Sequence, residues 1–399
     1  MDFRLTEEQE ALKKEFEDFF REEMKNAPPE YGRGGLEGVF DTDEGFQFHR
    51  KVAKKLGEKG WLSRAWPKDC GGIGAPIVEQ QIFNEVKDKY GAPGVDLVGL
   101  GMFAPTLIIA ANDEQKERLL SRIAKGEVVY CQGWSEPDAG SDLASLTTTA
   151  IKDGDEYVIN GQKIWTTGGH KADCMFILAR TDPESKRSKG LSVFHMDMNL
   201  PGMQVRPILF MDGKHVYNEV FFKDVRIPAR DLIGEENKGW QLTLDTMNFE
   251  RSSVGMFAEG RVALEELIEY VKTTKRNGKY LSENPLVRQK IARLFTDLEV
   301  GHTLAYKIAW LQEQGGLSFA AYAASEAKVF GSELVLKIAD LSTEIMGLYG
   351  GLAKSKWAPL NGDMVESYQF AMGNTVAAGS SEIQRNIIAW MGVGLPRFK

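Results

Sequence analysis

The chain has 399 residues, of which 43% are hydrophobic and 27% charged. That is the balance of a soluble globular protein, and at about 150 residues per domain it implies about two to three domains. A net charge of −8, from 49 basic and 57 acidic side chains, argues against non-specific nucleic-acid binding. No apolar run approaches the ~18–20 residues of a membrane span, so no integral membrane association is expected. The three cysteines, Cys70, Cys131 and Cys174, include no CxxC pair and exclude a disulfide framework. With no basic-then-apolar leader at Met1, the expected compartment is the cytoplasm.

Residues 1–122 read as helix. Thr6-Glu7-Glu8-Gln9 is a capping-box pattern, in which Thr6 accepts from an early amide and Gln9 reaches back. Leu12, Phe16, Phe19 and Phe20 then recur at helical spacing. Gly71-Gly72-Ile73-Gly74-Ala75-Pro76 breaks the pattern, and a further helix is predicted around Val78–Asp88. Residues 123–235 change texture. Thr147–Ile151, Tyr157–Ile159, Met175–Ala179, Leu191–Met196 and Val220–Phe222 are β-prone runs punctuated by turns such as Asp153-Gly154-Asp155 and Asn160-Gly161. No helices of 10–15 residues separate them, which predicts an antiparallel sheet. Residues 236–399 return to the helical period, with Leu334, Ile338, Leu341 and Ile345 at i, i+4, i+7 and i+11, and read as a four-helix-bundle-like domain. The predicted class is therefore α+β and multidomain: a helical N-terminal domain, a β middle domain and a C-terminal bundle. Lys186-Arg187-Ser188-Lys189 reads as a solvated basic loop.

Several motif scans come back negative. Gly99-Leu100-Gly101-Met102-Phe103-Ala104 matches G-x-G-x-x-A by letter, but its surroundings are helical rather than βαβ, so packing glycines are expected. The five histidines, His49, His170, His195, His215 and His302, show no metal-ligand spacing, and no metal is expected.

Five segments carry a resemblance. They are Gly60-Trp61…Trp66-Pro67…Gly71-Gly72; Ser135-Glu136-Pro137-Asp138-Ala139-Gly140-Ser141-Asp142; Asn160-Gly161-Gln162-Lys163-Ile164-Trp165-Thr166-Thr167; Ile227-Pro228 with Leu232-Ile233-Gly234; and Gly379-Ser380-Ser381-Glu382-Ile383-Gln384-Arg385-Asn386. In this order and at this separation the chain resembles the FAD-dependent acyl-CoA dehydrogenases over nearly its whole length. The resemblance implies α,β-dehydrogenation of an acyl-CoA thioester to the trans-2-enoyl-CoA, with FAD as cofactor. It also implies electron-transfer flavoprotein as the acceptor and a homotetramer built as a dimer of dimers. By resemblance, Gln132, Trp134 and Ser135 lie along the flavin ring, Trp165 and Thr167 pack on it and hydrogen-bond it, and Gly140 and Ser141 stand near the cofactor, Ser141 also near the CoA chain. Ser380 and Glu382 are placed in the flavin region and Gly379 beside the substrate.

In many members a Glu precedes the Gly of the last motif; here the residue is Ala378. A methyl cannot take a proton, although the Ala378 backbone N–H can still hydrogen-bond the thioester oxygen. The isovaleryl- and long-chain enzymes carry the Glu on an earlier helix, directly before an Arg, and Asn248-Phe249-Glu250-Arg251 corresponds. Met247, Glu250, Val254 and Phe257 fall at i, i+3, i+7 and i+10, so Glu250 is expected on an apolar stripe. Desolvation there raises a carboxylate toward the range of a useful base. The alternative is a buried Glu paired to a structural Arg. Glu382 and Asp96 are the rival carboxylates. Arg251 and Asn248 are expected CoA contacts by the same mapping. Relatives commonly present R-x-x-F-G to FAD across a subunit interface. This chain has Thr274-Lys275-Arg276-Asn277-Gly278-Lys279, which makes Arg276 the candidate diphosphate contact. Gly347, in Glu344-Ile345-Met346-Gly347, stands where a Gln…Gly-Gly pattern is usual and is the other candidate cofactor contact. With only a methyl at 378, room for a branched, cyclic or bulky acyl group is expected. The competing reading is a non-catalytic flavin- or acyl-CoA-binding subunit of a hetero-oligomeric dehydrogenase.

Overall fold

A computed structural model describes residues 4–32, 34–249, 254–315 and 317–397. Chain order gives helices α1 (Glu7–Met24), α2 (Gly35–Phe40), α3 (Asp43–Glu58), α4 (Ile77–Lys89), α5 (Ala104–Ala110) and α6 (Asp113–Ala124). Strands follow as β1 (Tyr130–Gly133), β2 (Thr149–Asp153), β3 (Glu156–Lys163), β4 (Cys174–Arg180), β5 (Leu191–Asp197), β6 (Met203–Leu209), β7 (His215–Pro228) and β8 (Leu232–Ile233). The C-terminal part holds α7 (Gly239–Phe249), α8 (Val254–Thr273), the short hairpin β9 (Lys275–Arg276) and β10 (Lys279–Tyr280), then α9 (Pro285–Gly315), α10 (Leu317–Met346), α11 (Asp363–Asn374) and α12 (Ser381–Ile387). Among the described residues no helix is long and apolar enough to cross a membrane.

The chain forms two compact units. One comprises Met1–Arg21, Ile77–Gly91 and Arg251–Lys399; the other comprises Glu22–Pro76 and Ala92–Glu250. In the first unit, α8, α9, α10 and α11 pack together with α4 against α8 and α9. Leu334, Ile338, Leu341 and Ile345 join Val254, Phe257, Leu264 and Leu298 in one core, as their helical spacing requires. α1 opens with the reciprocal cap: Thr6 N–H donates to Gln9 Oε1 at 3.0 Å, and Gln9 N–H donates to Thr6 Oγ1 at 3.2 Å. Its buried Phe16 meets Phe83 of α4 edge-on at 5.1 Å.

The second unit is built on an eight-stranded sheet of order β6-β7-β3-β2-β4-β5-β8, with β1 added beside β4. Most pairs are antiparallel, but β1/β4 is parallel, as is the single β2/β4 pair Thr149↔Arg180. The wholly antiparallel expectation is therefore corrected. After β1 the chain crosses through a helix-poor loop, makes the β2–β3 hairpin, and returns in the direction of β1. A long loop suffices for that crossover, so the absence of a connecting helix did not decide the strand direction. β4 is buried along its whole length, which is why Cys-Met-Phe-Ile-Leu-Ala reads as a continuous apolar run. Gly99–Phe103 forms a π-helical turn leading into α5. The G-x-G-x-x-A match is thus helical and has no phosphate-loop geometry.

Candidate active site

Within the second unit the sheet brings two motif segments together. Gln132 lies on β1, and Trp134 and Ser135 follow it; Trp165 and Thr167 follow β3. Ile164 N–H donates to the Ser135 carbonyl at 2.9 Å and stitches the two together. Trp134 is buried and meets Phe176 edge-on at 5.4 Å. Trp165 is different: its φ is 59°, its ring is 57% exposed, and its edge-to-face neighbour is Tyr217 at 6.1 Å. A bulky residue held in the left-handed region costs about 1–3 kcal/mol, and such outliers cluster at ligand sites. The next residue is pinned, since Thr166 N–H donates to the Asn218 carbonyl and Asn218 Nδ2 donates to the Thr166 carbonyl, both at 3.0 Å. Gly140 and Ser141 are exposed beyond a tight turn closed by reciprocal Glu136–Ala139 backbone bonds of 3.1 Å.

Three residues that sequence reasoning did not single out hold this arrangement. The Glu136 carboxylate accepts from Thr147 N–H (2.7 Å), Thr147 Oγ1 (2.8 Å), Thr148 N–H (2.9 Å) and Lys163 Nζ (2.9 Å). Lys163 Nζ also donates to the Trp134 carbonyl at 3.0 Å. Burial opposes the Glu136 charge, but Lys163 and the threonine donors outweigh it and hold the carboxyl at about 2. The third residue is Thr166. Its Oγ1 and the Trp134 Nε1 are buried with no hydrogen-bond partner among the described residues, and such groups call for a ligand or water. An exposed aromatic ring beside two orphaned polar atoms fits a flat, heteroatom-rich group such as a flavin ring. Parity along β3 was the available signal, because Tyr157, Ile159, Gly161 and Lys163 share one face.

The rival carboxylate Asp96 is wholly committed. It accepts from Val98 N–H at 3.1 Å and Tyr130 N–H at 2.8 Å, and burial pushes its carboxyl up to about 7 against those bonds. It anchors the start of β1. The β4/β5 register also gathers Cys174, His195 and Asp197, whose ligand-type atoms lie within 4.8 Å of one another. Cys174 Sγ donates to Asp197 at 3.4 Å, and Tyr130 Oη lies 3.3 Å from His195 Nδ1. Burial pushes the thiol up to about 12 and the imidazole down to about 4, so both are uncharged at neutral pH.

In the first unit residues 378–380 form a turn that leads into α12. Ala378 has φ 52° and Gly379 φ 85°. Gln384 Nε2 donates to the Ala378 carbonyl at 2.9 Å, and the buried Lys328 Nζ donates to the Gly379 carbonyl at 2.7 Å. With its carbonyl tied back, the exposed Ala378 has an N–H that makes no hydrogen bond to the described residues. The φ of Gly379 favours glycine there, and a Cβ would also press on Gln384 Nε2 at 2.5 Å. Ser380 Oγ caps α12 through Ile383 N–H at 3.4 Å. The same helix start lowers the exposed Glu382 carboxyl, chiefly through its own backbone amide and then Ser380. Arg276 and Gly347 do come together: Arg276 Nη2 donates to the Ile345 carbonyl at 2.8 Å, closing the end of α10. Glu250 and Arg251 lie outside the described residues, as does the side chain of Asn248.

A mixed sheet whose unpartnered polar groups fit a flavin ring, preceded by helices and followed by a bundle, is the architecture of a flavin-dependent dehydrogenase. The family models agree along the chain: acyl-CoA dehydrogenase N-terminal domain over residues 6–127, middle domain over 131–225 and C-terminal domain over 237–391. The chain belongs to the acyl-CoA dehydrogenase family; it is an oxidoreductase that uses FAD and dehydrogenates acyl-CoA thioesters. It is 35% identical to acyl-CoA dehydrogenase FadE26 of Mycobacterium tuberculosis, over 98% of each chain. Among solved structures it resembles the Tcur3481–Tcur3483 steroid ACAD at TM-score 0.88 and 32% identity, over 100% of each chain. It also resembles the ChsE4–ChsE5 complex from Mycobacterium tuberculosis at TM-score 0.87 and 33% identity, again over 100% of each chain.

Proposed function

We propose that Glu250 is the base of this dehydrogenase and that its acyl-CoA substrate carries a bulky, cyclic acyl group. The observation that carries the reading is Ala378. The position where many relatives keep the base presents a methyl, so the proton must go elsewhere, and Asn248-Phe249-Glu250-Arg251 offers the carboxylate used by the isovaleryl- and long-chain enzymes. Glu250 takes the α-proton on a carboxylate oxygen. The Ala378 N–H donates to the thioester oxygen as negative charge develops there. Trp134, Ser135, Trp165 and Thr167 hold the flavin ring, with Gln132, Gly140, Ser141, Ser380 and Glu382 around the cofactor. Arg276 and Gly347 serve its distal half. Asn248, Arg251, Ser141 and Gly379 receive CoA and substrate. FAD, when bound, accepts the β-hydrogen as hydride, and electron-transfer flavoprotein reoxidises it. The similarity to a steroid ACAD supports the bulky acyl group. Residues 1–122, 123–235 and 236–399 are the working domains of a cytoplasmic homotetramer in this reading; the free thiols of Cys70, Cys131 and Cys174 suit a reducing compartment.

Anaerobic titration of the flavin band with linear, branched and steroid-like acyl-CoAs tests the reading. Bleaching is expected with the bulky substrates and lost in Glu250→Gln, while that variant keeps its flavin and its CoA binding. Bleaching by Glu250→Gln at the native rate overturns the assignment, and preference for short linear chains overturns the substrate class. A second reading, a subunit of a hetero-oligomer, is favoured because two of the similar structures are named as pairs of proteins. Native mass spectrometry of the chain purified alone separates the two: four copies support the homotetramer, and an incomplete, flavin-poor species supports the pair.

A further inference from the structure

Replacing a buried ion pair by apolar side chains is often neutral or even stabilising, because desolvation offsets the Coulombic gain. A pair as deeply placed as Lys163 and Glu136, with side chains 0% and 5% exposed, is therefore poorly explained by stability alone. Its connections are more informative. Lys163 ends β3, two residues before Trp165. Its ammonium joins the Trp134 carbonyl, next to Ser135, to the Glu136 carboxylate. Glu136 opens the turn that leads to Gly140 and Ser141, and it gathers both amides of Thr147 and Thr148. One pair of side chains thus ties the Trp134–Glu136 segment to the end of β3 and to Thr147–Thr148, and the first two of these adjoin residues proposed to hold the flavin. The orphaned Trp134 Nε1 and Thr166 Oγ1 belong to the residues so fixed.

We infer that Lys163 and Glu136 are positioning residues for the flavin: a buried clasp that sets the mutual register of residues 132–135, 140–141 and 165–167 without touching the reacting atoms. The inference rests on this being the FAD-binding face, but not on the identity of the base or the acyl group. It assigns the pair to cofactor geometry rather than to fold stability, and the two roles separate experimentally. In a double variant, Lys163→Met with Glu136→Gln, no charge is left uncompensated, so a purely stabilising pair would become dispensable.

The test uses the full-length holoenzyme and its apoprotein reconstituted with FAD. Thermal midpoint, FAD dissociation constant and the shape of the flavin absorption band are measured for each single variant and for the double variant. The single variants are expected to lose both stability and flavin affinity. The double variant is expected to regain part of the stability lost in the single variants, because no lone charge is left buried, yet bind FAD at least about tenfold more weakly with an altered band. Native affinity and an unchanged band in a folded double variant overturn the inference. Thr147→Val keeps the test decisive if the double variant does not fold. It removes only the exposed threonine's hydroxyl bond to Glu136, and a loss of roughly threefold or more in FAD affinity is expected. Unchanged affinity there overturns the inference as well. Glu250→Gln is the contrasting control: native-rate bleaching in that variant overturns the base assignment, and it leaves the FAD-affinity readout of the clasp untouched.

Discussion

Gly168 immediately follows the Trp165–Thr167 segment, and its replacement by alanine separates two costs that are usually confounded. Its φ is 66°, and a Cβ would stand 2.4, 2.6 and 2.7 Å from three carbons of the Phe40 ring. Phe40 is buried, so its ring has little freedom to retreat. The left-handed backbone costs alanine about 1–2 kcal/mol, and forcing extra volume into a packed site adds about 1–3 kcal/mol. The lower entropy of the unfolded alanine chain returns about 0.4–1 kcal/mol. Gly168→Ala should therefore destabilise by roughly 2–4 kcal/mol. Gly154, in the β2–β3 turn, provides the matched control: its φ is 65°, and nothing lies within 4 Å of its Cβ position. Gly154→Ala should cost about 0.5–1 kcal/mol. Thermal unfolding reads the difference at about 2–4 °C per kcal/mol for a unit of this size, so the two variants should differ by roughly 5–10 °C. Because Gly168 N–H bonds the Val216 carbonyl at 2.8 Å and adjoins Thr167, Gly168→Ala should also lose flavin, while Gly154→Ala keeps it. Equal midpoints, or full flavin content in Gly168→Ala, would refute the steric argument.

Three further predictions concern stability and local order. Glu85 is half-buried in the helical unit; desolvation pushes its carboxyl up, but hydrogen bonds from His302 and Tyr306 (2.6 Å) and the charges of His302 and Lys13 outweigh this and hold it at about 2. Its folded value lies below the unfolded one, so its stabilisation is complete above about pH 4.5 and is lost as pH falls toward 2. Glu85→Gln should remove about 3 kcal/mol of that acid dependence, and identical acid-unfolding slopes in variant and native protein would contradict this. The buried Arg180 donates to five carbonyls, those of Ala144, Leu146, Ser185, Arg187 and Lys189, at 2.9–3.2 Å. Arg180→Met should release the basic loop and speed tryptic cutting at Lys186–Lys189 roughly tenfold; an unchanged cleavage rate would show that the loop is ordered by other contacts. In helix α3, a Cβ on Gly57 would lie 2.5 Å from the Lys125 carbonyl carbon, whereas Gly373 in α11 has nothing within 4 Å. Gly57→Ala should thus destabilise by about 2 kcal/mol or more, while Gly373→Ala stabilises by about 0.5–1 kcal/mol. Opposite signs in denaturant titrations are the expected result.

Local physics made much of the fold legible in the sequence. The Thr6–Gln9 cap, the 334–345 stripe and the β-prone runs of the middle stretch each depend on neighbours in the chain, and each formed where its pattern stood. Ser135–Asp142, Asn160–Thr167 and Gly379–Asn386 likewise marked the family, because turn residues and aromatic positions in fixed order survive as text. Strand direction did not, since β1 and β4 run parallel through a loop whose composition carries no direction.

The order and spacing of the motifs alone carried the resemblance to the FAD-dependent acyl-CoA dehydrogenases, and the sequence itself shows a methyl at position 378. The sequence could not determine which polar groups meet when the sheet closes. Lys163 and Glu136 are 27 positions apart, and Cys174, His195 and Asp197 meet only through the β4/β5 register. Nothing in the sequence placed Glu136, in its motif, against Lys163, at the end of its strand. Only the tertiary structure removed water from both, and it made of the two charges a buried pair that also holds the Trp134 carbonyl.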